Sequence, residues 1–271
     1  MDNSGNPFLY PDFPSKSGYE ACVIMAKLVL REDSSGISIL TLNRPEFLNA
    51  LSPALFIELR DHIDALAQAY DEIGCVVLQG AGRSFSAGND LKAIQNGEAA
   101  PTDHFQAETI DALEALPQPV IAAVHGHCYT GALELVLGCD LLICSENARI
   151  FDTHAKWGLS STWGMSQRLP RRIGYQKAKE LMYTSRLVSG REAVEIGLAI
   201  RCVPDDKFSD AVMQAARSIV DNSWFSLRTY KMLMRKGRNL PLAEALIFER
   251  EKSPGMGPDT LERLEKFFKS K

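Results

Sequence analysis

Apolar and polar positions along this chain fall into segments of two different periods. Residues 26–31 and 36–42 are short aliphatic runs, alternating in Ile37-Ser38-Ile39 and Leu40-Thr41-Leu42, and the polar stretch Glu32-Asp33-Ser34-Ser35 between them predicts a strand pair with its turn there. After Asn43-Arg44-Pro45 the period changes to 3.6. Leu55, Leu59, Ile63 and Leu66 form one buried stripe, Ser52 stands where it caps the helix, Pro53 takes its first position, and Leu51 and Phe56 are spaced as a hydrophobic staple. That helix is predicted to end near Tyr70. A strand at 73–79 follows, then a loop from Gly82 to Lys92, a helix around 104–115, a strand at 119–124, a helix carrying Glu134 and a strand at 140–145. Strand alternating with helix argues for an α/β core.

From Gly174 onward the pattern is helical: 175–183, a short helix opened by the capping box Ser189-x-x-Glu192 and closed at Gly197, then 206–220, 224–236, 241–251 and 258–269. The last places Leu261, Leu264, Phe267 and Phe268 on one face, for the core or for a neighbouring subunit. The chain divides on this reading into a flexible arm over 1–25, an α/β core over 26–200 and a helical region over 201–271.

Composition narrows the function classes. A chain of 271 residues buries one substantial core. No apolar run reaches the roughly 18 residues of a membrane helix, which argues against membrane insertion. A net charge of −4 provides no field for nucleic acid, and Lys231, Arg235, Lys236 and Arg238 read as a solvated helix face. Cys22, Cys75, Cys128, Cys139, Cys144 and Cys202 occur singly, without zinc or redox spacing, as reduced core thiols do. With no signal-peptide region and no peroxisomal tripeptide at Phe268-Lys269-Ser270-Lys271, a cytoplasmic protein is expected.

Glu134 is the most informative residue. Ala132, Leu133, Leu135, Val136 and Leu137 make its helix apolar nearly all round, so its carboxylate faces a low-dielectric interior, and burial without a cation raises a carboxyl pKa toward the range of a general acid/base at neutral pH. Gly131 stands at the start of that helix, where N–H groups lack partners and the dipole is positive. The loop 82–92 is of similar design, so two loops offer two N–H donors to one oxygen. The plainer alternative is that Glu134 complements the helix N-terminus and Gly131 relieves crowding. His125 and His127 flank Gly126 nearby; with Cys128 they hint at metal, but their side chains diverge, and no metal site is expected.

Three motifs in order, Leu42-Asn43-Arg44-Pro45 with Asn49-Ala50-Leu51, Phe85-Ser86-Ala87-Gly88-Asn89-Asp90-Leu91-Lys92, and 119–142, resemble the enoyl-CoA hydratase/isomerase (crotonase) superfamily over roughly residues 26–252. Gln167-Arg168-Leu169, Gly174 with Ala178 and Leu181, and Ala193 with Gly197-Leu198-Ala199 extend the match. The resemblance implies a spiral of repeated ββα units with a helical C-terminal region for trimerisation, giving a homotrimer or a dimer of trimers. It implies an acyl-CoA substrate, no cofactor beyond the CoA it carries, and a thioester oxygen held by the amides of Asn89 and Gly131. Proton removal beside a thioester builds charge on that oxygen, and a preorganised donor is worth about 3 to 4 kcal/mol. Phe47, Ala87, Asp90, Leu91, Lys92 and Trp163 correspond to substrate- and CoA-binding positions.

Enoyl-CoA hydratases of this superfamily use two glutamates. Glu134 corresponds to the first, but His154 stands at the second, and the downstream glycine-rich stretch has become Ser161-Thr162-Trp163-Gly164-Met165. His154 reads three ways: the second acid/base, a histidine like that of the β-diketone hydrolase branch, or a packed, non-catalytic ring. In the hydrolase branch an acidic residue orients the ring, and the matching position here is Trp163; Asp152, two residues from His154, is expected to face away from it and so to be a poor substitute. The expectation is an enoyl-CoA hydratase with Glu134 and His154 as its catalytic pair. Isomerisation by one base and hydrolytic cleavage are the alternatives within the superfamily, and a non-catalytic acyl-CoA-binding homologue the alternative outside enzymes.

Overall fold

A computed structural model describes residues 27–269; the arm expected over 1–25 and Cys22 lie outside them. The chain opens with strands β1 (Val29–Ser34) and β2 (Ile37–Leu42), helix α1 (Pro53–Gln68), strand β3 (Cys75–Gly80) and helices α2 (Leu91–Gln95) and α3 (Phe105–Ala115). It continues through β4 (Val120–Val124), β5 (His127–Tyr129), α4 (Gly131–Leu137), β6 (Leu141–Ser145), β7 (Arg149–Phe151) and α5 (His154–Trp157). Helices α6 (Met165–Ile173) and α7 (Tyr175–Thr184), strand β8 (Val188–Ser189), helix α8 (Gly190–Glu195) and strand β9 (Arg201–Val203) follow. Helices α9 (Phe208–Val220), α10 (Trp224–Gly237), α11 (Leu242–Lys252) and α12 (Thr260–Lys269) complete the described chain.

Six strands form one sheet in the order β1-β2-β3-β4-β6-β9, parallel except for the β1–β2 hairpin, and β5, β7 and β8 form a second, smaller sheet. The spiral shows in the way strands are dealt between sheets. β4 enters the large sheet and β5 the small one, β6 and β7 repeat the pattern, and after β3 the single residue Ser86 bridges to Cys128 of the small sheet. Three successive turns of chain thus stack on one another, as the resemblance implied.

Both faces of the large sheet are covered, which parallel strands require. Alternate residues point to opposite faces: Val76, Leu78, Val120, Ala122 and Val124 join the main core with α1, α3 and α4, whereas Cys75, Val77, Ile121 and Ala123 meet Val212 and Ala216 of α9. Ser52 caps α1 through Leu55 N–H at 3.2 Å, and its stripe of Leu55, Leu59, Ile63 and Leu66 is buried as predicted. Each such side chain contributes about 1.5–3 kcal/mol.

Several local expectations are corrected. The first hairpin turns at Ser35-Gly36, not across Glu32–Ser35: both residues have positive φ, 51° and 76°, and such a two-residue turn matches strand twist, so β1 runs on to Ser34. Ser189 caps α8 through Glu192 N–H, but the Glu192 carboxylate completes no box because Arg186 holds it. Helix α6 begins at Met165, ahead of the region read as helical from Gly174, with Pro170 inside it, and strand β9 lies between two of the helices read there. Lys231 does not belong to a solvated face; it is buried, donating to Gln118 O at 2.8 Å and Asp140 Oδ2 at 2.6 Å. The apolar face of α12 is exposed, Leu261 and Phe268 by 68% and 69%, so it is not packed on the core.

Candidate active site

The site is assembled where chain leaves the C-terminal ends of β3 and β4. Buried Asn49 fastens the first loop: its Oδ1 accepts from Arg44 N–H, and its Nδ2 donates to Ala81 O and Ser84 O, each at 2.8 Å. Ser86 Oγ donates to Asn49 O at 2.7 Å and accepts from Gly88 N–H, while Leu51 N–H donates to Gly88 O and Asp90 N–H to Leu51 O. Asn89 is therefore gripped on both sides. Among the described residues its own N–H has no acceptor in the chain.

The second loop enters α4 through Thr130, whose φ of 48° is uncommon for a threonine and costs about 1–3 kcal/mol. Its N–H donates to Phe151 O at 2.6 Å, its Oγ1 accepts from Thr153 N–H at 3.1 Å, and the Thr130 and Thr153 hydroxyls meet at 2.5 Å. These bonds offset the strain and clamp the start of α4 to the segment carrying His154. Gly131 N–H likewise has no acceptor among the described residues. A Cβ placed on Gly131 would lie 3.4 Å from Asn89 N, and one on Gly88 would lie 3.5 Å from Gly131 N, so the two open amides are neighbours.

Glu134 is one turn further along α4 and 2% exposed. Its Oε1 accepts from the N–H groups of Trp163 and Met165 at 3.1 and 3.0 Å, leaving Oε2 to face His154 Nε2 at 3.7 Å. Burial pushes the Glu134 carboxyl above its ordinary range, against the opposing pull of the Met165 and Trp163 amides and of His154. Burial works to lower the His154 pKa, but the bond to Asp152 and the charges of Asp152 and Glu134 outweigh it and hold the ring above its ordinary value. The two groups face one another at a separation too long for a direct hydrogen bond, and a water to one side of the pair can lie about 2.8 Å from each.

The reading of Asp152 as lying on the opposite face from His154 is corrected. Residues two apart in a strand share a face in any case, and here β7 ends at Phe151 and His154 opens α5, so Asp152 lies between the two elements. Asp152 Oδ1 accepts from His154 N–H at 3.1 Å and from Nδ1 at 2.7 Å. An Asp two residues before a His at a strand end, where an Asx turn folds the carboxylate back, was the available signal. Thr130 and Thr153 had no such signal, since their contact depends on tertiary fold.

Trp163 lies against the site, its ring edge-on to Phe56 at 5.1 Å and so close over Gly131 that a Cβ there would come within 2.5 Å of it. Phe47, and Leu91 and Lys92 at the start of α2, are exposed on either side of Asn89, with the Arg44 guanidinium 4.9 Å over the Phe47 ring, and Ala87 N–H is tied to Leu48 O. Asp90 presents no open carboxylate. Oδ2 pairs with Arg44 at 2.8 Å and Oδ1 caps Lys92 and Ala93, and despite burial these partners hold it below the usual range. His125 and His127 secure the first loop, at Gly82 O and Ser84 Oγ. A basic cleft of about 960 Å³ between α6 and α10 shares Trp163 with this site but neither Glu134 nor His154.

Known proteins share this fold. The family model for enoyl-CoA hydratase/isomerase matches residues 32–254. A short-chain-enoyl-CoA hydratase from Clostridium acetobutylicum is 31% identical over 227 residues, 82% of this chain and 87% of that protein. The crystal structure of an enoyl-CoA hydratase from Bacillus anthracis superposes with a TM-score of 0.84 at 32% identity, over 90% of this chain and 97% of that one. A monofunctional enoyl-CoA isomerase from Mycobacterium smegmatis gives 0.71 at 33% identity, over 81% and 98%. With open amides at Asn89 and Gly131, a buried carboxyl one turn on and the matched spiral fold, the chain belongs to the enoyl-CoA hydratase/isomerase family.

Proposed function

We propose that the protein hydrates 2-enoyl-CoA thioesters, with Glu134 and His154 as its catalytic pair and the N–H groups of Asn89 and Gly131 as its oxyanion hole. The observation that carries this is the 3.7 Å gap between His154 Nε2 and Glu134 Oε2, beside two adjacent amides without acceptors. In the working state Glu134 is protonated and Nε2 is bare. As the oxygen of a water between them bonds to C3, its proton passes to Nε2, the C2=C3 π pair shifts to C1–C2, and the carbonyl pair moves onto the thioester oxygen. The two amides stabilise that charge by about 3 to 4 kcal/mol each. C2 then takes the Glu134 proton as the carbonyl re-forms, and His154 returns its proton to the carboxylate. One water is consumed, and the pair ends as it began.

Incubation with crotonyl-CoA and longer 2-enoyl-CoAs, followed by loss of the conjugated thioester absorbance, tests this. Turnover that disappears in His154→Ala supports it; no turnover on any chain length rejects it. The second reading, isomerisation by Glu134 alone, is favoured by the likeness to the Mycobacterium smegmatis isomerase and predicts that absorbance appears from 3-enoyl-CoA.

The finer assignments rest on the same footing. Phe47, Leu91 and Lys92 contact the CoA portion and Trp163 bounds the acyl pocket. No cofactor is required, because the thioester supplies the electron sink. A homotrimer or dimer of trimers is supported by the exposed Leu242, Leu246 and Ile247 of α11 and the exposed apolar face of α12. A cytoplasmic location is supported by five free cysteines among the described residues. No helix among those residues is long and apolar enough to cross a membrane.

A further inference from the structure

We propose that Asp152 is a positioning residue: its carboxylate keeps the proton of the neutral His154 ring on Nδ1 and so turns a bare Nε2 toward Glu134 and the attacking water. This rests on His154 acting as the base of the proposed hydration.

Asp152 is 3% exposed, and a single oxygen, Oδ1, accepts from both the backbone N–H and the ring Nδ1 of His154. Two bonds to one atom fix the ring against its own backbone. An ionised carboxylate only accepts, so the ring nitrogen facing it must carry hydrogen, and the other nitrogen of the neutral ring then holds the lone pair. That nitrogen is the one 3.7 Å from Glu134 Oε2. When the water proton arrives there, the ring becomes an imidazolium beside a buried carboxylate, a charge-assisted pair stronger than a neutral bond. Lys156, on the same short helix, sits over the Phe151 ring at 4.6 Å. The Thr130–Thr153 clamp holds the Asp152 segment to α4, so orienting the ring against Asp152 also orients it against Glu134.

A purely structural role for Asp152, capping α5, would explain the bond from the His154 N–H but not the one from Nδ1. Asp152→Asn separates the two. The amide oxygen still caps the turn and still accepts from Nδ1, but the countercharge for the imidazolium is gone. Asp152→Ala removes both bonds.

The experiment combines crotonyl-CoA kinetics with ¹⁵N NMR of histidine-labelled resting enzyme. Wild type is expected to carry its neutral-ring proton on Nδ1, and Asp152→Ala to move it to Nε2 with kcat down by roughly a hundredfold or more while KM changes little. Asp152→Asn is expected to keep the Nδ1 proton and fall between the two in kcat. A wild-type spectrum with the proton on Nε2, or full kcat in Asp152→Ala, overturns the assignment. Should Asp152→Ala fail to fold, Asp152→Asn decides: reduced kcat with unchanged KM supports the role, and wild-type kcat overturns it. Fully active His154→Ala would refute the base itself, whereas inactive His154→Ala alongside fully active Asp152 variants would refute Asp152 alone.

Discussion

Gly131→Ala puts a single methyl group into the proposed oxyanion hole, and the structure gives its consequences in numbers. The new Cβ would lie 3.4 Å from Asn89 N, where it takes the space of an oxygen that must approach within about 2.7 to 3.1 Å. It would also lie 2.5 Å from Cζ3 of Trp163, so the indole has to move. Fold stability should change little: alanine in place of glycine in a helix gains up to about 1 kcal/mol, and overpacking against Trp163 costs about 1 to 3 kcal/mol. Catalysis should change greatly. Losing one donor costs about 3 to 4 kcal/mol, a factor of a hundred to a thousand, and the methyl obstructs both. The assay is kcat/KM on crotonyl-CoA, paired with a thermal melt and with calorimetric binding of CoA. The expected result is at least a hundredfold loss in kcat/KM with melting and CoA binding close to wild type. Adding Trp163→Leu relieves the ring clash without clearing the oxyanion site, so activity should stay lost. A single variant within tenfold of wild type would refute the oxyanion assignment, and recovery in the double variant would trace the loss to the indole instead.

Glu134→Gln should lower turnover by two or more orders of magnitude while keeping the fold. Because burial raises the Glu134 pKa, the folded chain holds this proton more tightly than the unfolded one; that stabilisation is complete at low pH and is lost as pH rises through the folded value. The melting temperature of Glu134→Gln relative to wild type should therefore rise from about pH 4 toward neutrality, and a flat difference would contradict the burial argument. Activity should follow a bell in pH, since the working pair carries one proton. Adding a second blocks Nε2, and removing the last leaves no acid for C2. With both groups raised, the acid limb lies above the ordinary carboxylate range and the alkaline limb above the ordinary imidazole value, as steps of the pair. Light scattering should show a trimer or hexamer that Leu261→Glu with Phe268→Glu drives to smaller species; a wild-type monomer at micromolar concentration would remove the assigned role of α12.

The parts of the fold legible in the sequence are those with enough residues to display a period. The α1 stripe from Leu55 to Leu66 and the aliphatic runs of β2, β3, β4 and β6 are of this kind. The second sheet was not legible, because β5 and β7 have three residues each and β8 two, and so short a run shows no alternation. Pro170 disguised α6: it is the sixth of nine helical residues, past the first turn, where proline forfeits a backbone hydrogen bond and reads as a helix breaker. Lys231 was misjudged because its partners, Asp140 and Gln118, are about a hundred residues away in sequence. At the site, Glu134, Gly131 and the 82–92 loop could be picked out because an acidic residue in an apolar helix and glycines at strand exits are local anomalies. Asp152 was set aside by a misplaced face: residues two apart share a side even in a strand, and beyond the end of β7 the Asp152 carboxylate folds back onto the His154 backbone and ring. Asn49 and the Thr130–Thr153 clamp act across separate loops and have no local signature.

His154, in place of a second glutamate, is proposed to work with Glu134 in adding water, and hydration of crotonyl-CoA by wild type and His154→Ala at equal CoA occupancy tests this. Wild type is expected to consume the conjugated thioester, while His154→Ala binds CoA normally and hydrates at least a hundredfold more slowly. Hydration by His154→Ala at the wild-type rate would contradict it.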